Sequence, residues 1–351
     1  MTRSAVLRSL RTIVPDTVIE QHEVRDIFAS QPDVGRLAQR IIGASFNGSG
    51  IDTRHTVIEE LSSTASTDAT LFFDRESGLL QSPGTAARND VYIREASRLF
   101  VEVARSALDA DPDIVAADVT HVITASCTGF HAPGPEYEIV RGLGLSDSVQ
   151  RYHLGFMGCY ASLPALRAAS QFCAADPDAV VLVVSVELCT VHLRSSEDPD
   201  LIVANSLFAD GAAAGIVTAR DLPTPVPAVR LDGFHTAIAA EGEKDMAWTI
   251  GDHGFEMILS TKVPQIIGET HRRHPSALRP RGRARGRVRR GEGGGARGAL
   301  GDPPRRTQHP RPRAGATAAE RRAAAPGSGD AARERQHVEC DGALRDQADP
   351  R

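Results

Sequence analysis

The stretch His153-Leu154-Gly155-Phe156-Met157-Gly158-Cys159-Tyr160-Ala161-Ser162-Leu163-Pro164-Ala165-Leu166-Arg167-Ala168-Ala169 decides how the chain reads. An apolar run closes on Cys159, and a helix-like run opens after it. A cysteine at such a strand-to-helix junction has its sulfur at the helix N-terminus, where unpaired backbone N–H groups and the macrodipole stabilise a thiolate. A free thiol ionises near pH 8.5, and this placement brings the value down to roughly 3.5–7.5. Cys159 is therefore expected to be a nucleophile at neutral pH. The alternative is a structural cysteine packed as a small hydrophobe.

Outward from that junction the first 270 residues alternate between helical and strand-like patterns. Ile93, Ala96, Leu99, Phe100, Val103 and Ala104 recur at three and four, which predicts a helix over 90–108. Residues 119–125 read as a strand. Val180 to Val186 is nearly continuous apolar sequence of strand length, the sign of a strand buried on both faces. Residues 215–218 read as another strand, and Leu222-Pro223-Thr224-Pro225-Val226-Pro227 as a connector. Beyond it, 229–240 and 248–259 are expected to be strands of a second unit, and Val263-Pro264 a helix start with proline in the first turn. Buried strands alternating with helices argue α/β layers.

The words around Cys159 resemble the type III polyketide synthases, the chalcone synthase-like enzymes of the thiolase superfamily. Thr120-His121-Val122-Ile123-Thr124 with Ser126-Cys127-Thr128-Gly129-Phe130-His131-Ala132-Pro133-Gly134 is similar to that family's strand and loop before the active-site helix. Val181 to Val186 with Glu187-Leu188-Cys189-Thr190 resembles its next strand. Asn205-Ser206-Leu207-Phe208-Ala209-Asp210-Gly211-Ala212-Ala213-Ala214 resembles its Phe-Gly-Asp-Gly-Ala-Ala signature, with Ala209 in place of a glycine. Four blocks in the family's order, spanning roughly residues 5–270, make a specific match.

The resemblance implies a thiolase-like fold of duplicated αβαβα layers with its second half truncated. The N-terminal domain would span 1–221 and the start of a C-terminal domain 222–270. It implies Cys159 as nucleophile and Phe208 as a cavity wall that orients the malonyl group. Met257 stands where the family has a second cavity aromatic, so the pocket is expected to differ from a chalcone-forming one. His192 falls on the cavity wall and is expected to shape the pocket rather than act as catalytic base. Cys127 matches a tunnel-lining position, and Ala132 the loop that reaches a neighbouring subunit's cavity. Arg54 resembles a basic residue that contacts the CoA phosphates, against the plainer reading of a lone surface arginine.

Composition sets the outer limits. At 351 residues with 41% hydrophobic content, the chain has room for two domains and a core. The five cysteines show no CxxC pair and no zinc spacing, so no metal site is expected. There is no continuous apolar leader region and no run of membrane-spanning length, which makes a reduced cytoplasmic protein the expectation.

The net charge of −5 conceals two kinds of sequence. Residues 271–351 hold 20 Arg against 9 Asp and Glu, a balance of +11; the preceding 270 residues hold 20 basic and 36 acidic groups, a balance of −16. The tail has no Ile, Phe, Met, Tyr, Trp, Lys or Asn, and only three Leu and two Val. Such sequence cannot offset an ordering cost of roughly 1–2 kcal/mol per backbone residue and is expected to be disordered. Its arginines alternate with Gly, Pro and Ala, without aromatics to stack bases, so nucleic-acid binding is not expected.

Arg, Ala, Gly and Pro have the codons richest in G and C, and a GC-rich gene read out of frame yields this vocabulary. Read one nucleotide later, the codons of residues 335–345 permit Gly-Asn-Met-Ser-Ser-Ala-Thr-Val-Leu-Phe-Val. This resembles the family motif whose Asn is catalytic. The same offset on Leu300-Gly301-Asp302-Pro303-Pro304-Arg305-Arg306 permits Trp-Ala-Ile-His-Pro-Gly-Gly, which resembles the catalytic His motif. The two recovered motifs keep the family's order and spacing, which places a frame shift near Thr270.

The chemistry implied is decarboxylative condensation of malonyl-CoA onto an acyl-CoA starter, with CoA thioesters as substrates, no metal or redox cofactor, a homodimer, and no membrane partner. The literal chain, lacking the His and Asn, is expected to be inactive. Two alternatives are a ketoacyl-acyl carrier protein synthase, which shares Cys, His and Asn, and a non-catalytic basic-tailed binding protein.

Overall fold

The computed structural model describes residues 4–273, which lie within one compact unit. The expectations for the tail fall, from residue 274 onward, outside the described residues. In chain order the elements begin with β1 (Val6–Ile13), β2 (Val18–Glu20), α1 (Gln21–Ala29), α2 (Arg36–Gly48), β3 (Thr53–His55), β4 (Phe73–Asp74), β5 (Leu79–Leu80) and α3 (Thr85–Asp109). They continue with β6 (His121–Ser126), α4 (Pro135–Leu143), β7 (Gln150–Gly155), α5 (Ser162–Ala175), β8 (Val180–Leu188), α6 (Pro199–Leu207) and β9 (Asp210–Thr218). The last are β10 (Ala228–Arg230), β11 (Met246–Gly251), β12 (Gly254–Leu259) and α7 (Val263–Arg273).

The main sheet has six strands in the order β10-β1-β9-β8-β6-β7. β6 runs parallel to both β7 and β8, whereas β8–β9, β9–β1 and β1–β10 are antiparallel. The apolar run of β8 is buried on both faces because alternate side chains point opposite ways. Val180, Leu182, Val184, Val186 and Leu188 enter one core, with α3 residues Leu99, Phe100 and Val103. Val181 and Val183 enter the other, with Ala165, Ala169 and Cys173 of α5. Three layers result, with α3 on one face of the sheet and α5 on the other. The small residues of α5 recur at four and let that helix lie close to the strands. Its Leu163 remains 57% exposed.

The structure revises several element boundaries. The helix expected over 90–108 starts earlier, at Thr85, because the backbone of Thr85 donates to the Asp252 carbonyl and its hydroxyl accepts from the Gly254 N–H. The stretch 229–240 is not a strand of a second unit: only Ala228–Arg230 is extended, and it pairs with β1 at the edge of the first sheet. Residues 248–259 form the hairpin β11–β12. His271, Arg272 and Arg273, which the sequence placed in the tail, close α7, where positive charge suits the helix dipole.

Two glycines test the packing. A Cβ on Gly129, in the loop after β6, would stand 2.1 Å from Cγ of Tyr92, a side chain only 1% exposed. Gly129→Ala is expected to destabilise the fold by about 1–3 kcal/mol or more. Gly43→Ala on α2, where nothing lies within 4 Å, is expected to stabilise by about 0.5–1 kcal/mol. Chemical denaturation of the two variants, which must shift in opposite directions, checks this.

Candidate active site

Parallel pairing carries β6, β7 and β8 to the same edge of the sheet. Ser126 lies opposite Gly155, and Ala125 opposite Ser185, so Cys127, Cys159 and Glu187 all follow at the C-terminal ends of adjacent strands. Open α/β sheets bind ligands outside the carboxyl ends of their parallel strands.

Glu187 organises this edge. Its carboxylate accepts from the Cys127 N–H at 3.0 and 3.1 Å, from Thr128 Oγ1 at 2.8 Å and from Ser126 Oγ at 3.4 Å. Thr128 Oγ1 in turn accepts from the Leu188 N–H, and Ser126 Oγ from the Tyr92 hydroxyl. Burial pushes the Glu187 carboxyl up against the pull of these donors. Burial first, and the Glu187 charge second, push the thiols of Cys127 and Cys189 up. Cys159 adds a smaller push on Cys127.

Cys159 stands at the junction that the sequence marks. It sits in the turn between β7 and α5, three positions before Ser162 opens the helix, with Gly158 at φ +80°. The Ala161 N–H donates to the Gly158 carbonyl within that turn. The thiol is exposed. Desolvation by neighbouring atoms, then the Glu187 charge, push it above its ordinary value, and neither cause is a cation. A bond to its own backbone N–H pulls the other way.

The hairpin β11–β12 forms a wall beside Cys127. The Trp248 indole donates to the Cys127 carbonyl at 2.6 Å. Met257 pairs with Trp248 in the hairpin register and so shares its face. His192, 5% exposed, follows β8 and contacts Trp248 edge-on at 5.3 Å. Its Nε2 lies 2.8 Å from the Thr128 carbonyl and its Nδ1 3.1 Å from the Phe255 N–H. Burial pushes this imidazole down to about 4, so it is neutral at pH 7.

A second group lies behind. Half-buried Phe208 caps α6, and its carbonyl accepts from Arg54 Nη1 at 2.7 Å, as does that of Asn205 at 2.8 Å. Arg54 is 3% exposed, and burial lowers it to about 10. Only Nη1 is bonded, Nε and Nη2 being buried without a partner, so the guanidinium expected to contact CoA phosphates is not presented to solvent. Asp210, at the start of β9, accepts from the N–H groups of Val57 and Thr190 and is pushed up to about 6 by burial. Ala132 lies exposed on the loop between β6 and α4. Among the described residues no three His, Cys, Asp or Glu are grouped to hold a metal ion, and no helix is long and apolar enough to cross a membrane.

The structure therefore gathers Cys159, Cys127, His192 and Met257 around one edge. Glu187, Trp248 and Tyr92 were not singled out from the sequence. A carboxylate ending the apolar run Val180–Val186 was the available signal for Glu187.

Residues 2–221 match the family model for chalcone and stilbene synthases, N-terminal domain. The chain belongs to that family. Among curated proteins it is 33% identical over 270 residues to the alpha-pyrone synthesis polyketide synthase-like Pks18 of Mycobacterium tuberculosis, covering 76% of this chain and 65% of that protein. It is 28% identical over 259 residues to the 1,3,6,8-tetrahydroxynaphthalene synthase of Streptomyces coelicolor, covering 72% of this chain and 62% of that protein. Its fold superposes on the crystal structure of PKS-I from the brown alga Ectocarpus siliculosus with a TM-score of 0.65 at 26% identity, over 77% of this chain and 70% of that one. These likenesses place it in the type III polyketide synthase family, on the side of its bacterial members, with the thiolase-like α/β fold. The chain spans less than two thirds of the length of these curated relatives.

For the chain as written, alkylation of Cys159 by iodoacetamide, mapped by peptide mass, is expected to keep rising past about pH 8.5, the ordinary thiol value. A rate already level by about pH 7 would show the activated thiolate that the sequence alone suggested.

Proposed function

We propose that the gene encodes a type III polyketide synthase in which Cys159 carries the growing acyl chain. The observation that carries this reading is the placement of Cys159 at the β7–α5 junction, beside Cys127 and Glu187, inside the matched N-terminal domain. The thiolate attacks the carbonyl of an acyl-CoA starter; the carbon–sulfur bond to CoA breaks, and CoA leaves as its thiolate, which takes a proton from water. Malonyl-CoA then loses CO2, and the electron pair of the broken carbon–carbon bond becomes an enolate. The enolate carbon attacks the Cys159 thioester, and the sulfur departs as thiolate, leaving a 3-ketoacyl-CoA. CoA thioesters serve as the only carriers, with no metal or redox cofactor. Phe208, Met257, Cys127 and His192 shape the pocket, Ala132 reaches toward a second subunit, and the active form is a cytoplasmic homodimer.

The family's His and Asn, which would activate the thiol and hold the thioester oxygen, are assigned to the shifted frame after Thr270. Preorganised donors of that kind are worth about 3–4 kcal/mol each in the transition state. The written chain is therefore expected to show little or no condensation of malonyl-CoA with acyl-CoA starters. Restoring the frame at the codon for Thr270 is expected to bring turnover back, and Cys159→Ala in the restored protein to abolish it. Normal turnover by the written chain, or retained turnover in the restored Cys159→Ala variant, would refute the reading.

A further inference from the structure

His192 is bonded at both ring nitrogens, and each partner fixes what that nitrogen must be. The Thr128 carbonyl can only accept, so Nε2 carries the hydrogen; the Phe255 N–H can only donate, so Nδ1 is bare. The ring also stacks on Phe255 at 4.1 Å. One imidazole thus joins two segments far apart in sequence, the turn after β6 and the hairpin β11–β12.

The surroundings hold the ring in this state. Arg88 of α3, fully buried, donates to the carbonyls of Val191 and Leu193 on either side of His192, at 2.6 and 3.0 Å. The hairpin turn is gripped separately: Thr85 binds the Gly251 carbonyl and the Gly254 N–H, and Arg194 donates to the His253 carbonyl. Gly254 has φ +107°, and a Cβ there would meet Arg88 Cδ at 2.9 Å, so only glycine fits between arginine and imidazole. Phe255 continues the contact outward, stacking with Phe130 at 6.2 Å and meeting Phe156 at 5.5 Å, three residues from Cys159.

We infer that His192 is a positioning residue that acts through Phe255 and Trp248, tying the hairpin to the Thr128 turn and so setting the wall of the acyl pocket beside Cys127. Its consequence for substrate rests on the function proposed above; the geometry does not. Removing the ring frees the Phe255 N–H and the Thr128 carbonyl, loosens the hairpin, and moves Trp248 off the Cys127 carbonyl. A looser wall changes which acyl chains fit while leaving attack by Cys159 in place.

Trp248 is the sole tryptophan, so its fluorescence reports this wall in the full chain as written. His192→Ala is expected to red-shift Trp248 emission and raise acrylamide quenching about twofold, as a locally opened segment does. His192→Gln, which offers one donor and one acceptor, is expected to recover part of the shift. Val191→Ala, which removes a neighbouring core side chain but neither bond, is expected to leave emission native.

Should His192→Ala fail to fold, acid titration of the native chain against His192→Gln decides. Native emission is expected to fall as pH approaches about 4, while the glutamine variant stays level. The charged groups near the ring, Arg88 on α3, Arg194 after the turn, Glu187 at the end of β8, and Asp252, His253 and Glu256 on the hairpin, are common to both proteins. Native-like emission and quenching in His192→Ala, or equal acid titration of native and glutamine proteins, overturns the inference. In the frame-restored enzyme, His192→Ala is expected to change KM among acyl-CoA starters of different length more than kcat. A restored enzyme without activity refutes the proposed function alone, because the fluorescence result stands independently.

Discussion

The parallel pairing of β6 with both β7 and β8 is the constraint on which the site depends. Parallel neighbours cannot be closed by a tight turn, so each needs a crossover, supplied by α4 between β6 and β7 and by α5 between β7 and β8. Three strand ends, and the loops that leave them, are thereby forced to one edge. The antiparallel return of β9 adds a fourth: Asp210, its first residue, lies opposite Leu188, the last of β8. Glu187, Asp210 and the Cys127–Thr128 turn follow from that topology.

The same edge is held by buried carboxylates bonded to backbone N–H groups. Glu187 pins the Cys127–Thr128 turn, and Asp210 pins Thr190 and Val57, with the Thr190 hydroxyl adding a bond at 2.5 Å. Satisfied networks of this kind rigidify the loops they join. Burial first, and then the Glu187 charge, oppose thiolate formation at Cys127, Cys159 and Cys189, with Asp210 adding to the effect at Cys189. No cation is among the causes that act on these three thiols in the described residues.

Legibility followed burial. β8 could be read because a strand covered on both faces must be apolar throughout, and only its polar ending at Glu187 escaped. β9 was read from residue 215, although it begins at Asp210, because Gly211-Ala212-Ala213-Ala214 carries too little bulk to declare itself extended. Val229–Ala240 misled for the opposite reason: its apolar residues are exposed, Val229 at 62% and Ile238 at 90%, so composition suggested a strand that packing does not support. Arg54 was misread because an arginine among polar neighbours looks like surface. Nothing local shows that Asn205 and Phe208, some 150 positions away, supply the carbonyls that allow its burial. The role of His192 in shaping a wall was legible as a position, but its two bonds depend on Thr128 and Phe255, which meet only in three dimensions.

The break in vocabulary after Thr270 falls where α7 is ending, beyond every element that builds the six-stranded sheet. Among the described residues, β8 and β9 are covered by α3 on one side and by α5 on the other. What remains open is the outer surface near Cys159, where Phe156, Met157, Tyr160 and Leu163 are 40–57% exposed. A cluster of large exposed apolar side chains, here beside Cys159, is the form an uncovered interface takes. On the reading proposed here, a shifted frame therefore removes the covering layer and its His and Asn while sparing the cradle, which separates the capacity to fold from the capacity to condense.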